Sequence, residues 1–298
     1  MSTPERRTFI DIHIHCRKTP GLPRFGKQAY GTPEQLMARQ DELDIECSVI
    51  LPGTNPEHAY QIQSNEEALE ICAEHPDRFV PFCNIHPRQL TNSADAPLGD
   101  LLRYYRDQGC KGLGEFMPNL RFLDPLVQNV FKHAQNVGFP LTFDISDRLG
   151  ARYGLVDDPG LPELERTLRR FPKLKILGHG PAFWAEIGRL DAPEDRTGYP
   201  KYPVREEGAV PKLLRRYENL LGDLSAKSGF NALNRDHAYA DQFLNEFQDK
   251  LYFGTDICLA DQRSALADLL RAFRHRGTIS ESVFDKIARA NAVRLLGL

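Results

Sequence analysis

The sequence contains no apolar run long enough to span a bilayer, and its polar first residues lack the apolar core of a signal peptide. An excess of charge of either sign is also missing, because 38 basic and 41 acidic residues leave a net charge of −3. This balance provides no electrostatic signature for nucleic acid or an anionic membrane. We therefore expect a cytoplasmic protein with neither a nucleic-acid nor a membrane partner, and homo-oligomerisation is left open.

Paired cysteine motifs are absent as well, since the six cysteines are scattered and form no C-x-x-C. In a chain of 298 residues such spacing is typical of reduced thiols that fill the core. Cys16 and Cys258 each closely follow a candidate metal ligand, and we expect these two to line a site. Tryptophan is nearly missing, because Trp184 is the only one.

Eight short apolar runs alternate along the chain with patterns typical of amphipathic helices. Several helices have recognisable starts, such as the capping boxes at 32–35 and 64–67 and the Asp-Pro pair at 124–125. Strands that alternate with helices predict a parallel sheet, and eight of them favour closure into an α/β fold of the (β/α)8 TIM-barrel type. We expect a single domain over residues 1–298, with a long loop insertion at about 181–210. The predicted strands are 8–15, 47–51, 79–86, 110–116, 140–145, 174–179, 220–225 and 251–257.

The first predicted strand ends in a His-x-His pair, His13 and His15. Because side chains alternate along a strand, both imidazoles and Asp11 are predicted to share one face, opposite three isoleucines. Two neutral imidazoles on one rigid strand can form a binding site for a divalent transition metal. A buried, hydrogen-bonded histidine pair is the alternative, and the strand by itself does not decide between the two.

Polar residues also end most of the other predicted strands, and active sites of such barrels lie at these strand ends. Buried charges are costly unless they are paired or bound to a metal. The convergence of several histidines and carboxylates on one opening therefore favours a metal centre. The candidate ligands are His13, His15, Glu115, Asp144, His179 and Asp256.

Three motifs at these strand ends carry a family resemblance, namely Asp11-x-His13-x-His15, Gly178-His179-Gly180 and Phe253-Gly254-Thr255-Asp256. With them, the sequence resembles the amidohydrolase superfamily, in particular its amidohydrolase-2 group of metal-dependent hydrolases and non-oxidative decarboxylases. The segments 74–79 and 287–296 fit the same group. Gly114-Glu115 and Asn84-Ile85-His86-Pro87 are similar to segments of TatD-like hydrolases, in which that glutamate is a metal ligand.

The resemblance implies a divalent metal, and one position of this chain departs from the family. Family members commonly carry a metal-binding histidine at the end of the fifth strand, where this chain has Asp144. With Glu115 as a bridge, the two strand-one histidines and Asp256 would hold one ion, and Asp144 with His179 a second. With one ion, His179 is left for acid–base or electrophilic work. We expect one or two ions, with zinc as the first choice and manganese as the second.

The implied activity is that of a metal-dependent hydrolase, which uses metal-activated water on a small, anionic, carboxylate-bearing molecule. The bond attacked would be a C–N, C–O or lactone bond. Asp256 would accept the proton of the water and pass it to the leaving group. His179 or the metal would polarise the oxygen of the scissile group.

Two loops are expected to select the substrate. The first, residues 16–27, carries four basic residues, of which Arg17 directly follows the metal motif and Arg24 lies further along. The second is the insertion after the sixth strand, which contains Phe183 and Trp184. We expect Arg17 to bind an anionic group and the two aromatic rings to contact an apolar portion of the substrate. The alternative is that the basic side chains are solvated and Trp184 is part of the core.

Three other functions are left open by the sequence. The first is a non-oxidative decarboxylase of an unsaturated or aromatic acid, which the same type of site supports in relatives. The second is a TatD-like phosphodiesterase, which Glu115 favours and the acidic net charge disfavours. The third is a non-catalytic metal-binding barrel, and the only observation that favours it is Asp144 in place of the usual histidine.

Overall fold

Eight parallel strands close into a barrel in the computed structural model, which describes residues 7–23, 26–57, 61–150 and 153–298. The predicted barrel is therefore confirmed. The strands of the wall are β1 (Phe9–Ile14), β2 (Ile45–Ile50), β3 (Phe79–Pro81), β4 (Leu113–Phe116), β5 (Leu141–Phe143), β8 (Ile176–Gly178), β9 (Leu220–Asp223) and β10 (Leu251–Tyr252). Two further strands, β6 (Ile145–Ser146) and β7 (Leu155–Val156), form a separate small ribbon.

The barrel wall consists of two sheets that meet at two seams. One sheet has the order β1-β2-β3 and the other the order β10-β9-β8-β5-β4. At the first seam the Cys83 N–H donates to the Gly112 carbonyl oxygen over 3.0 Å. At the second seam the Ile12 N–H donates to the Phe253 carbonyl oxygen over 3.1 Å. Because these seams join β3 to β4 and β10 to β1, the wall is closed and the carboxyl ends of all eight strands meet at one opening.

Helices follow the strands and cover the outside of the wall. They are α1 (Pro33–Leu43), α2 (Asn65–Glu74), α3 (Leu98–Asp107), α4 (Pro125–Val137), α5 (Pro162–Arg170), α6 (Pro181–Trp184), α7 (Ala209–Arg216), α8 (Ala226–Asn234), α9 (His237–Glu246), α10 (Leu266–His275), α11 (Glu281–Asp285) and α12 (Asn291–Leu296). The capping box predicted at 32–35 forms at the start of α1, where Thr32 and Gln35 exchange both hydrogen bonds. None of the helices in the described ranges has the length and apolar character needed to cross a membrane.

Three local predictions differ from the structure. Ser64 caps α2, but Glu67 does not close a capping box, because its carboxylate accepts hydrogen bonds from the loop that follows β1. The sequence pattern did not predict α3 or α8, which begin without a side-chain cap. The insertion at 181–210 is more than a loop, since it contains α6 and 3-10 turns at Ala185–Ile187 and Pro193–Thr197.

A buried ion pair holds the insertion to the rest of the barrel. Arg196 is 2% exposed, and its Nε lies 2.7 Å from Glu186 Oε1. The Arg196 Nη1 donates to the Asp157 carbonyl oxygen over 2.6 Å, and Glu186 Oε2 accepts from the Gly160 N–H over 2.7 Å. Both charges are therefore paired, and they fix the insertion against the loop that follows β7.

We expect Arg196→Met to lower the free energy of unfolding by about 3–5 kcal/mol, because the Glu186 charge is then buried without its partner. Adding Glu186→Met should recover much of that loss, since neither charge is then present. Urea denaturation measures both effects. Arg189→Met is the matched control, because Arg189 belongs to the same insertion but its side chain is 68% exposed. An Arg196→Met protein as stable as the wild type would contradict this role of the ion pair.

Candidate metal centre

A bulge in β1 turns two consecutive side chains, rather than alternate ones, toward the inside of the barrel. Ile12 packs in the interior with Leu221 of β9. The pairing of β1 with β2 then shifts register, and Ile14 packs outside the wall against α1 and α2. His13 therefore follows Ile12 onto the inner face, and His15 reaches the same face by ordinary alternation.

Asp11 stabilises this bulge and does not share the face of the two histidines, so the prediction from strict alternation was wrong. Its Oδ1 accepts from the backbone N–H groups of His13 and Thr255 over 3.0 and 2.9 Å. Its Oδ2 accepts from the Thr255 hydroxyl over 2.6 Å. Burial raises the pKa of Asp11 to about 7, although the hydrogen bonds from Thr255 and His13 act to lower it. The carboxylate thus supplies acceptors for ladder N–H groups that the bulge leaves without their regular partners.

His13 and His15 bring their Nε2 atoms within 3.3 Å of each other. His15 Nδ1 lies 2.8 Å from the Leu51 carbonyl oxygen, which can only accept a hydrogen bond. His13 Nδ1 lies 2.7 Å from Asp223 Oδ2, which is likewise an acceptor. Each neutral imidazole therefore carries its hydrogen on Nδ1 and presents a lone pair on Nε2. Two lone pairs facing one space at this distance favour a cation between them.

Glu115 and Asp256 complete a first donor set around that space. Glu115 Oε2 lies 3.4 Å from His15 Nε2 and 3.8 Å from His13 Nε2. Asp256 Oδ1 lies 3.4 and 3.6 Å from the same two nitrogens. Ligands bound about 2.0–2.2 Å from one tetrahedral ion are about 3.3–3.6 Å apart, so nearly all of these separations fit a single divalent metal.

Glu115 also belongs to a second donor set, with Asp144 and His179. Its Oε1 lies 3.7 Å from His179 Nε2, while its Oε2 faces the strand-one histidines. Gly180 makes room for this set, because a Cβ on this residue would lie 2.3 Å from Asp144 Oδ1. A carboxylate whose two oxygens face different groups of donors can bridge two metal ions.

The pKa values in the pocket indicate a strongly negative potential. Burial lowers the pKa of His13, but Asp223, Asp256 and Glu115 outweigh that effect and raise it to about 9. Burial and the neighbouring charges of Glu115 and Asp256 raise the pKa of Asp144 well above its usual range. The potential that favours a proton on an imidazole also favours a divalent cation among these side chains.

Asp223 and Ser225 lie at the centre, although neither was predicted to have a role there. Asp223 Oδ2 is 2.7 Å from His13 Nδ1 and 3.4 Å from His179 Nδ1. Ser225 Oγ is 3.2 and 3.1 Å from the same two nitrogens. The available signal was an Asp-x-Ser sequence at the end of the seventh predicted strand. It is weak, because an aspartate at a strand end is often only the cap of the next helix.

A cavity of about 500 Å³ opens onto both donor sets. Cys258 lines it, as predicted, whereas Cys16 is buried and does not belong to the described lining. Lys27 contributes a cation at the cavity, where its Nζ lies 3.2 Å from Asp261 Oδ2. Besides the candidate ligands, the lining residues are Lys27, Tyr30, Met117, Tyr153, Cys258, Leu259 and Gln262.

The substrate contacts expected from the sequence do not belong to the described lining of this cavity. Arg17 pairs with a carboxylate of α2 over 3.0 Å. Phe183 and Trp184 are 0% and 1% exposed, and the Trp184 indole N–H donates to the Asp223 carbonyl oxygen over 2.7 Å. The structure thus favours core packing over substrate contact for this aromatic pair. Arg24 lies outside the described residues.

Comparison with known proteins extends over nearly the whole chain. The profile of a family described as amidohydrolase matches residues 10–298. No curated protein is significantly similar in sequence.

Three solved structures illustrate the similarity in fold. A probable 2-pyrone-4,6-dicarboxylic acid hydrolase from Acinetobacter baumannii is 14% identical, with 98% of this chain and 100% of that chain covered and a TM-score of 0.62. A 5-carboxyvanillate decarboxylase from Novosphingobium aromaticivorans, complexed with manganese, is 15% identical over 100% of both chains, with a TM-score of 0.61. A 2,6-dihydroxybenzoate decarboxylase from Rhizobium is 17% identical, with 96% and 99% covered and a TM-score of 0.56.

Proposed function

Since the chain belongs to the amidohydrolase family, we propose that it is a metal-dependent hydrolase of a small carboxylate-bearing substrate. The bond cleaved is a C–N, C–O or lactone bond. The observation that carries the proposal is the meeting of His13 Nε2, His15 Nε2 and the carboxylates of Glu115 and Asp256 within 3.3–3.8 Å at the floor of an open cavity. Water can reach this set, because the Asp256 side chain is 28% exposed.

Divalent metal fits these residues, and zinc or manganese suits the mixture of imidazole and carboxylate donors. His13, His15, Glu115 and Asp256 would hold one ion, whereas Glu115, Asp144 and His179 would hold the second. When bound, the metal supplies the Lewis acidity that makes water a nucleophile near neutral pH.

The charges of the pocket support two ions. Glu115, Asp144, Asp223 and Asp256 carry up to four negative charges when ionised, and two divalent cations balance them. The histidines add no charge when each is neutral, with its hydrogen on Nδ1. With one ion, more of this negative charge would have to be neutralised by protons, and the raised pKa of Asp144 agrees with that demand. Asp144 in place of the family's histidine increases this demand for positive charge.

Asp256 is the proposed general base. Its carboxylate lines the cavity, and its own N–H donates to the His13 carbonyl oxygen over 2.8 Å, so its backbone is held against β1. From this position it accepts a proton from water and passes it to the leaving group. His179 has a second role in a one-ion centre, where a ring that carries a hydrogen on Nε2 as well as on Nδ1 would donate from Nε2 to the scissile carbonyl oxygen.

Lys27 is the proposed contact for the anionic group of the substrate. It belongs to the cavity lining, in which Tyr30 and Gln262 add hydrogen-bonding groups. Arg17 is the alternative suggested by the sequence, but it does not belong to the described lining of the cavity. A carboxylate-bearing substrate agrees with the similar proteins, whose names include a dicarboxylic acid hydrolase and carboxylate decarboxylases.

Non-oxidative decarboxylation of an aromatic or unsaturated acid is the second candidate. It is favoured by the names of several proteins with the same fold, among them a manganese-bound 5-carboxyvanillate decarboxylase. The two reactions differ in what they consume and release. Hydrolysis in ¹⁸O-labelled water puts the label into the product, whereas decarboxylation releases carbon dioxide and incorporates no ¹⁸O by bond hydrolysis.

We expect Asp256→Asn to reduce kcat by about 10²–10⁴-fold on the best substrate from a panel of carboxylate-bearing lactones, amides and esters, because an amide cannot accept the proton. The far-ultraviolet circular dichroism spectrum should stay that of the wild type. Asp268→Asn is the control, since its side chain is 80% exposed on α10, and it should keep full activity. An Asp256→Asn enzyme with near wild-type kcat would refute this role.

Lys27→Met should raise KM for a carboxylate-bearing substrate by about tenfold or more, since a hydrogen bond to a charged group contributes about 1.5–3 kcal/mol. The value of kcat should change little, because the anion contact is remote from the reacting bond. Lys18→Met is the matched control, as Lys18 pairs with Glu74 outside the described cavity lining. Equal KM values for the Lys27→Met and wild-type enzymes would rule out the contact.

A further inference from the structure

Asp223 and Ser225 form a polar cluster behind the ligand histidines, and this cluster is called here the β9 clamp. Both side chains belong to residues that are 0% exposed, so water does not compete for their hydrogen bonds. The clamp contacts His13 and His179 at their Nδ1 atoms, whereas the metal donor sets use the opposite nitrogens, Nε2.

The chemistry of the clamp selects one tautomer of both histidines. An ionised Asp223 carboxylate can only accept, so the imidazole nitrogen at 2.7 Å must carry a hydrogen. The Ser225 hydroxyl, 3.1 Å from His179 Nδ1, can accept in the same way. A hydrogen on Nδ1 leaves the Nε2 lone pair of each ring for coordination. The opposite tautomer would place an N–H group where a metal ligand is needed.

The surrounding residues hold the clamp itself in place. Asp223 Oδ1 accepts from the Ser225 N–H over 2.9 Å, and the Asp223 carbonyl accepts from the Trp184 indole over 2.7 Å. Gly254 allows the close approach, because a Cβ there would lie 2.8 Å from Ser225 Cβ and 3.0 Å from Asp223 Oδ1. The buried tryptophan of the insertion thus contributes to the centre by positioning Asp223 rather than by touching substrate.

We propose that Asp223, assisted by Ser225, is a positioning residue that locks His13 and His179 together in their metal-binding tautomers. One carboxylate oxygen faces both rings, and the two rings belong to different donor sets that share Glu115. The clamp therefore links the two donor sets, because it contacts one histidine of each. This inference rests on the proposed metal centre but concerns residues that no step of the proposed reaction uses.

The test uses the zinc-loaded full chain, labelled with ¹⁵N at its histidines. We expect Asp223→Asn to weaken zinc binding about 10- to 100-fold, measured by competition with a chelator. Loss of the hydrogen-bond partner of a metal-binding histidine typically has this effect. Long-range ¹H–¹⁵N correlation spectra should identify Nδ1–H on His13 and His179 in the wild type. In Asp223→Asn the His13 Nδ1–H proton should shift upfield, since its charge-assisted hydrogen bond is lost.

Two further variants separate positioning from general destabilisation. Ser225→Ala should affect the His179 ring more than the His13 ring, because the carboxylate next to His13 is retained. Asp157→Asn is the matched control, as Asp157 is a 1% exposed carboxylate that caps the start of α5 through the Glu163 and Leu164 N–H groups. It should lower the melting temperature without changing the zinc affinity or either Nδ1–H signal.

Unchanged zinc affinity and unchanged Nδ1–H signals in Asp223→Asn would overturn the proposal, as would zinc bound at Nδ1 of either ring. If the wild type takes up no zinc, the proposed function fails while the clamp can still be tested. In that case the metal-free wild type should keep the His13 Nδ1–H signal and Asp223→Asn should lose it, and retention of the signal in the variant would refute the clamp.

Discussion

The hydrogen bonds between Asp11 and Thr255 are the constraint on which the rest of the centre depends. They stabilise the bulge in β1, and without that bulge His13 would follow Asp11 toward the outer side of the wall. With it, His13 and His15 both face inward, where their Nε2 atoms approach to 3.3 Å. Thr255 belongs to the motif Phe253-Gly254-Thr255-Asp256 at the last strand. That motif also supplies Asp256 to the first donor set, and its Gly254 leaves space for Asp223.

Electrostatics connects this geometry with chemistry. The pocket buries several carboxylates next to imidazoles, and their negative potential is unfavourable unless protons or metal cations balance it. A metal centre resolves this conflict, because each donor set already presents its lone pairs toward a common point. The partly exposed Asp256 and the cation of Lys27 both line the cavity, and we propose the first for proton transfer and the second for holding an anion. These two groups are the basis on which a small acid is proposed as the substrate.

Much of this centre could be predicted from the sequence, because it depends on which residues end the parallel strands. The alternation of strands and helices predicted the barrel, and strand-end polarity predicted the residues that the structure brings together as donors. The face assigned to Asp11 was wrong, since the bulge lies in the pairing of β1 with β2, is held by hydrogen bonds from the distant Thr255, and leaves no local signature. Likewise, nothing in the sequence around Phe183 and Trp184 distinguishes an aromatic lid from an aromatic core. The role of Asp223 also depends on tertiary contacts, with rings more than forty residues away.

Elemental mass spectrometry of protein purified without chelators tests the central claim most directly. The account predicts two equivalents of zinc or manganese per chain in the wild type and their loss in the His13→Ala/His15→Ala double variant. One equivalent would contradict the two-ion arrangement. A wild-type protein that contains no metal, and takes up none when zinc or manganese is added, would contradict the metal centre itself.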